Sequence, residues 1–222
     1  MNMDHTANIC FHGIGVPGRE REPGEHHYWI PIELFDEILD YAAGNPRVNL
    51  SFDDGNASDV EIGLPALAAR GLRAGFFPVA ARIGQPGSVD RRGLRALVQH
   101  DMTIGSHGMR HRSWRGLGAA DLDEELIEAR KIIADASGTT VTTAACPLGL
   151  YDRAVLGRLR ALDYTRVFTS DRSNSRPTAW LQPRFSVRET DTVEDVRAIV
   201  EGTRPRRRRV ASAARMAIKR LR

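Results

Sequence analysis

An α/β barrel is the fold this sequence predicts, and three observations carry the expectation. Short apolar runs alternate with amphipathic stretches along most of the chain, the signature of parallel strands joined by helical crossovers. An open doubly wound sheet would share that alternation. Several of the apolar runs, however, end in residues able to do chemistry, namely Asp53-Asp54, His107 and Cys146-Pro147. Barrels collect reactive groups at successive strand ends in this way. The length, 222 residues, suits one large domain with a sizeable core.

Taken in order, residues 8–11 read as the first strand and 32–43 as a helix, with Leu34, Phe35, Ile38 and Leu39 near helical spacing. Strand 48–52 precedes a helix over 60–69 that Gly71 closes. Strand 73–79 runs through Phe76 and Phe77 and leads to a helix around 94–100. Strand 102–106 comes next. The clearest helix, 121–136, follows it and sets Leu122, Leu126, Ile127, Ala129, Ile132 and Ile133 on one side. Strand 141–146, helix 153–162, short strands at 164–169 and 185–187, and a last helix at 193–201 complete the pattern.

Hydrophobic content of 41% and charged content of 27% are ordinary for a globular protein, and no run approaches 18 apolar residues. The segment Met1-Asn2-Met3-Asp4-His5 lacks the charged and apolar regions of a signal peptide, so a cytoplasmic protein is expected. Cys10 and Cys146 form no pair motif and are expected reduced and packed. Net charge is +4, but nine Lys and Arg lie from Arg204 onward with no acid among them. The remaining 23 basic and 28 acidic groups leave residues 1–203 at about −5. A nucleic-acid groove on the body is therefore not expected. The division is 1–203 as the catalytic domain and 204–222 as a basic tail.

The chemistry centres on Leu50-Ser51-Phe52-Asp53-Asp54-Gly55 and on Ser106-His107-Gly108-Met109-Arg110-His111. One carboxylate and two imidazoles four residues apart form a common catalytic-zinc ligand set that leaves a position open for water. The neighbouring carboxylate then stands ready to take a proton from that water. Trp114 suits either the floor of a sugar subsite or a packed aromatic position, and Cys146 reads as a small buried residue.

These segments resemble the motifs of the polysaccharide deacetylases, the NodB-homology domains of carbohydrate esterase family 4. Ser51-Phe52-Asp53-Asp54-Gly55 is similar to the family's Thr-Phe-Asp-Asp-Gly, and His107 and His111 match its paired histidines. Cys146-Pro147-Leu148-Gly149-Leu150-Tyr151-Asp152 is similar to its Arg-x-Pro-Tyr-Gly segment. The resemblance covers roughly residues 8–200 and implies a distorted (β/α) barrel of about seven strands. It implies Asp54, His107 and His111 as ligands of a divalent metal, most simply zinc, with Asp53 as general base. It implies removal of an N-acetyl group, with a backbone N–H at Leu148 near the acyl oxygen and Pro147 beside it.

The chain departs from the family pattern in three places. Ala145 stands where the family has the arginine that orients the base. The Asp-x-x-Asp-Trp segment that braces this arginine is absent, Asp171 lying in a Ser/Asn-rich stretch without a Trp. All seven histidines lie at or before position 111, so the family's late acid histidine is missing. His12, at the end of the first strand, is expected to bind substrate or serve as the acid, with His27 as second choice. Arg184, after Pro183, is a further cation expected near the substrate.

In the tail, Val210, Ala214, Ala217, Ile218 and Leu221 share one helical face, and Arg215, Lys219 and Arg222 share another. Such a cationic amphipathic helix suits an anionic membrane surface. Together these features predict a hydrolase acting on amino sugars of a glycan or lipid-linked precursor, peripheral to the inner membrane face. The alternative is a catalytically degenerate domain of the same fold that binds glycan or a biosynthetic partner.

Overall fold

A computed structural model describes residues 5–18, 20–203, 210, 214 and 216–219. Seven parallel strands run in the order β6-β5-β4-β1-β9-β8-β7. They are β1 (Ala7–Phe11), β4 (Val48–Asp54), β5 (Ala74–Pro78), β6 (Thr103–Ile104), β7 (Thr143–Ala145), β8 (Arg166–Thr169) and β9 (Leu181–Ser186). A parallel bridge between Ser106 and Ala144 joins the two edge strands, so the sheet is a nearly closed barrel. Its bonds are Ser106 N–H to the Thr143 carbonyl and Ala145 N–H to the Ser106 carbonyl, both 2.9 Å. The barrel with about seven strands is the expected fold. Two short strands, β2 (Gly13–Ile14) and β3 (Trp29–Ile30), pair outside it and were not legible as strands.

The period of two along the strands separates two kinds of core. Ile9, Phe11, Phe52, Phe76 and Phe185 face outward into a buried apolar layer under the helices. Asn8, Cys10, Ser51, Asp53, Gln182 and Arg184 alternate with them and fill a polar interior. Near its base, Asn8 Nδ2 donates to Gln182 Oε1 at 2.9 Å and the Asn49 amide donates to Asn8 Oδ1 at 3.1 Å, satisfying groups that burial would otherwise strand.

The helices pack outside. In α1 (Ile32–Ala43), Phe35, Ile38, Leu39 and Ala42 are the buried positions, at the spacing that puts them on one face. Caps fix the boundaries of α3 (Arg91–Gln99), α6 (Arg153–Ala161) and α7 (Val193–Glu201). Asp90 accepts from Gly93 N–H, Asp152 from Val155 N–H, and Thr192 forms a reciprocal capping box with Asp195. Each is worth about 1 kcal/mol. The two helices read as continuous are interrupted by π turns. Asp59–Gly63 precedes α2 (Leu64–Ala69), and Glu124–Glu128 separates α4 (Ala119–Asp123) from α5 (Ala129–Ser137). Among the described residues no helix is long and apolar enough to cross a membrane.

Candidate functional site

At the C-terminal end of the barrel a cleft of about 320 Å³ opens over β1, β4 and the loop after β6. His12, Asp53, Asp54, His107, His111 and Leu148 all line it. Asp53 and Asp54 end β4, and Asp54 turns the chain through the left-handed region at φ 73°, so that both carboxylates reach the cleft, each 3.7 Å from His107 Nε2. Gly55 follows at φ 71°, where a Cβ would lie 2.9 Å from the Pro78 Cβ. Gly108 is as constrained, since a Cβ there would meet the Glu125 carboxylate at 2.4 Å. The glycine beside each ligand loop is thus required by close approach.

Asp54, His107 and His111 each bring one ligand atom into a group whose atoms lie within 4.8 Å of one another. His111 Nε2 is 3.4 Å and His107 Nε2 3.7 Å from Asp54 Oδ1. Both imidazoles are held from behind. His107 Nδ1 bonds the Ala145 carbonyl at 2.8 Å and His111 Nδ1 bonds the Glu22 carboxylate at 2.7 Å. A carbonyl can only accept, so His107 carries its proton on Nδ1 and offers the Nε2 lone pair to the cleft. Asp54 Oδ1 is buried with no hydrogen-bond partner. An orphaned carboxylate oxygen facing two free imidazole nitrogens fits a divalent cation.

Burial pushes the His107 pKa down to about 4, against the attraction of Asp53, so this ring is neutral and fit to ligate. For His111 burial works in the same direction, but Asp54 and Glu22 outweigh it and raise the pKa. Burial disfavours the Asp54 charge, yet His111 and His12 hold its carboxyl below the usual range. Glu22 was not anticipated. It also pairs with Arg82, and nothing in a Gly/Glu/Arg-rich loop distinguished it beforehand.

Asp53 is gripped by Arg184, which donates to its two oxygens from Nη1 at 2.7 Å and Nη2 at 2.5 Å. Nη1 also reaches Ser51 Oγ at 3.2 Å. Burial alone would raise the Asp53 pKa, but Arg184 and then His107 override it and hold the carboxyl far below the usual range. The guanidinium is fully buried and lies 5.4 Å and 5.6 Å from the Phe77 and Phe168 ring centres. Arg184 was expected on the substrate side. It lies instead beneath Asp53, inside the barrel, because inward alternation on β9 aims it at β4 rather than at the cleft. Arg184 thus reaches Asp53 from β9, whereas position 145 lies on β7.

His12 lines the cleft with its ring 4.8 Å from that of Tyr28, and its Nδ1 is buried without a hydrogen-bond partner. Burial lowers its pKa despite Asp54 and Asp53 nearby. His27 stands apart. Its ring bonds Glu189 at 2.6 Å, half exposed, and does not line the cleft, because the loop turns it outward. Leu148 sits at φ 56° with an exposed side chain in the cleft, whereas Pro147 is buried beneath it and sets the turn without lining the cleft.

Trp114 is fully buried, its Nε1 donating to Glu125, so it packs and floors no sugar subsite. Glu125, also fully buried, accepts from Met109 N–H at 2.7 Å and Arg112 Nε at 2.8 Å and ties down the loop that carries His107 and His111. It comes from the π turn between α4 and α5. Periodicity cannot reveal such an inward carboxylate.

Three comparisons bear on this geometry. A family model described as polysaccharide deacetylase matches residues 40–167. Peptidoglycan-N-acetylglucosamine deacetylase PgdA of Listeria monocytogenes is 28% identical over 129 residues, covering 57% of this chain and 27% of that protein. The chain spans less than half the length of the curated relatives it matches. In fold, deacetylase PplD of Streptococcus pyogenes, solved in complex with acetate, superposes at a TM-score of 0.76 with 16% identity, covering 88% of this chain and 98% of that one. IcaB from Ammonifex degensii gives 0.72 with 20% identity, covering 89% and 97%.

Proposed function

This chain belongs to the polysaccharide deacetylase family, and on that premise we propose that it hydrolyses N-acetyl, or another small N-acyl, groups on amino sugars of a glycan or glycolipid precursor. One observation carries the reading. A buried carboxylate pinned by Arg184 stands 3.7 Å from His107 Nε2, beside three convergent ligand atoms at the base of an open cleft.

Asp54, His107 and His111 would hold a divalent metal, and zinc suits one carboxylate and two imidazoles. When bound, it polarises an acyl carbonyl and acidifies water. Asp53, kept ionised and aimed by Arg184, accepts the proton that water loses on attack at the acyl carbon. A carboxyl whose charge is so favoured gives that proton up readily, and the leaving nitrogen needs it as the C–N bond breaks. Water and amide thus give a carboxylic acid and a free amine. Leu148 offers its backbone N–H to the acyl oxygen. Pro147 fixes the turn that presents it. His12 enters the cycle neutral and relays or donates a hydrogen bond at the leaving nitrogen, with Tyr28 against its ring.

The alternative, a catalytically degenerate domain that binds glycan or a biosynthetic partner, rests on the missing arginine and the missing late acid histidine. Arg184 provides the arginine contact and weighs against the first ground, and His12 in the cleft is the candidate that answers the second. The tail would bring the chain to an anionic membrane, where lipid-linked glycan is the fitting substrate. Metal-loaded protein is expected to release acetate and primary amine in equal amounts from N-acetylated amino-sugar oligomers or their lipid-linked forms. Full metal content with neither product from either class would refute hydrolysis.

A further inference from the structure

Two loops form one wall of the cleft. One carries Cys146 and Leu148, the other Ser170 and Arg172. They touch closely at Gly149, where φ is 61° and a Cβ would lie 2.9 Å from the Ser170 Cβ. Asp171 is buried between them. Its Oδ2 accepts from Tyr151 Oη and Thr169 Oγ1, each at 2.7 Å. Its Oδ1 accepts from Lys219 Nζ at 2.6 Å, and the same ammonium donates to the Gly149 carbonyl at 2.7 Å. The ammonium lies 5.2 Å from the centre of the Tyr151 ring. One cation from the far end of the sequence therefore bonds both loops at once, on residues adjacent to the cleft lining.

We propose that Lys219 is a positioning residue of the site, clamping the Leu148 and Asp171 loops together so that the segment at 216–219 is part of the active-site wall. A buried carboxylate needs a cationic partner, and removing that partner leaves an unpaired charge under the loop. The ammonium has three protons, of which two are committed to Gly149 and Asp171. Leu148, whose left-handed conformation only its surroundings maintain, precedes the clamped carbonyl directly. The consequence for catalysis rests on the proposed role of the Leu148 N–H, since a displaced donor stabilises the developing oxyanion less.

The test compares full-length wild type, Lys219→Met and Lys219→Arg, all metal-loaded. Lys219→Met should fold with a lowered melting temperature and keep its KM within about two-fold, while kcat falls about ten-fold or more. Lys219→Arg should recover part of that loss, because a cation is restored. A kcat for Lys219→Met within two-fold of wild type overturns the inference. Amide hydrogen exchange supplies a readout independent of turnover. Lys219→Met should speed exchange in residues 148–151 and 169–172 while leaving β1 and β4 unchanged, and unchanged exchange in both loops overturns the clamp. Should the wild type release no acyl group, the hydrolase reading fails by itself and the exchange experiment still decides the clamp.

Discussion

Asp53 and Arg184 sit at the bottom of the barrel's mouth as a fully buried ion pair, and such pairs are costly to break from one side only. Replacing Arg184 with Met leaves the Asp53 charge unpaired. Chemical denaturation should then show a loss of about 3–5 kcal/mol. In whatever fraction folds, the Asp53 pKa should rise and the acid limb of kcat/KM should move to higher pH. Metal affinity should itself depend on pH, for a reason that separates the two histidines. His107, pushed down to about 4, is already deprotonated at neutral pH, whereas His111 is raised by Asp54 and Glu22. A protonated imidazole cannot ligate, so affinity should climb as pH rises through the His111 titration. Glu22→Gln should weaken metal binding about 10–100-fold at pH 8 and flatten that dependence, as calorimetry would show.

At the scale of elements, legibility followed the kind of pattern each segment carries. Helices α1 and α7 were read to their ends, because helical spacing and a cap or glycine agree. The convergence of Asp53, Asp54, His107 and His111 on one cleft was legible because the two segments, each common alone, occur together at strand ends in the order and spacing of the family's motifs. Strand β9 was read short, as 185–187, since Gln182, Pro183 and Arg184 do not look like strand residues. Gln182 and Arg184 are polar because they face a polar barrel interior, and a pattern tuned to apolar burial misses that. Arg184 was accordingly expected on the cleft side of Asp53, whereas it lies on the interior side. Glu22 and Glu125 escaped for a related reason, as their roles exist only through contacts 89 and 16 residues away. Gly108→Ala tests this loop architecture. At φ 81° and 2.4 Å from the Glu125 carboxylate, the methyl should cost about 1–3 kcal/mol and lower metal occupancy with it.

The whole molecule joins a body of negative net charge to a strongly basic segment. The amphipathic reading of 204–222 lies largely outside the described residues. Within them, Lys219 turns toward the barrel, while Val210 and Ile218 are more than half exposed. An apolar side left facing outward agrees with contact at a lipid surface. Deleting 204–222 should abolish co-sedimentation with anionic vesicles and leave neutral vesicles unbound as before. Retained binding would place the membrane contact elsewhere. The central claim is chemical, that Asp53 removes the proton in an amide hydrolysis assisted by metal on Asp54, His107 and His111. Its most direct test measures acetate release and bound zinc together in wild type and Asp53→Asn. Unchanged zinc content with acetate release reduced by at least about 10²-fold is the expected result. An Asp53→Asn protein that keeps its metal and releases acetate at the wild-type rate would contradict the account.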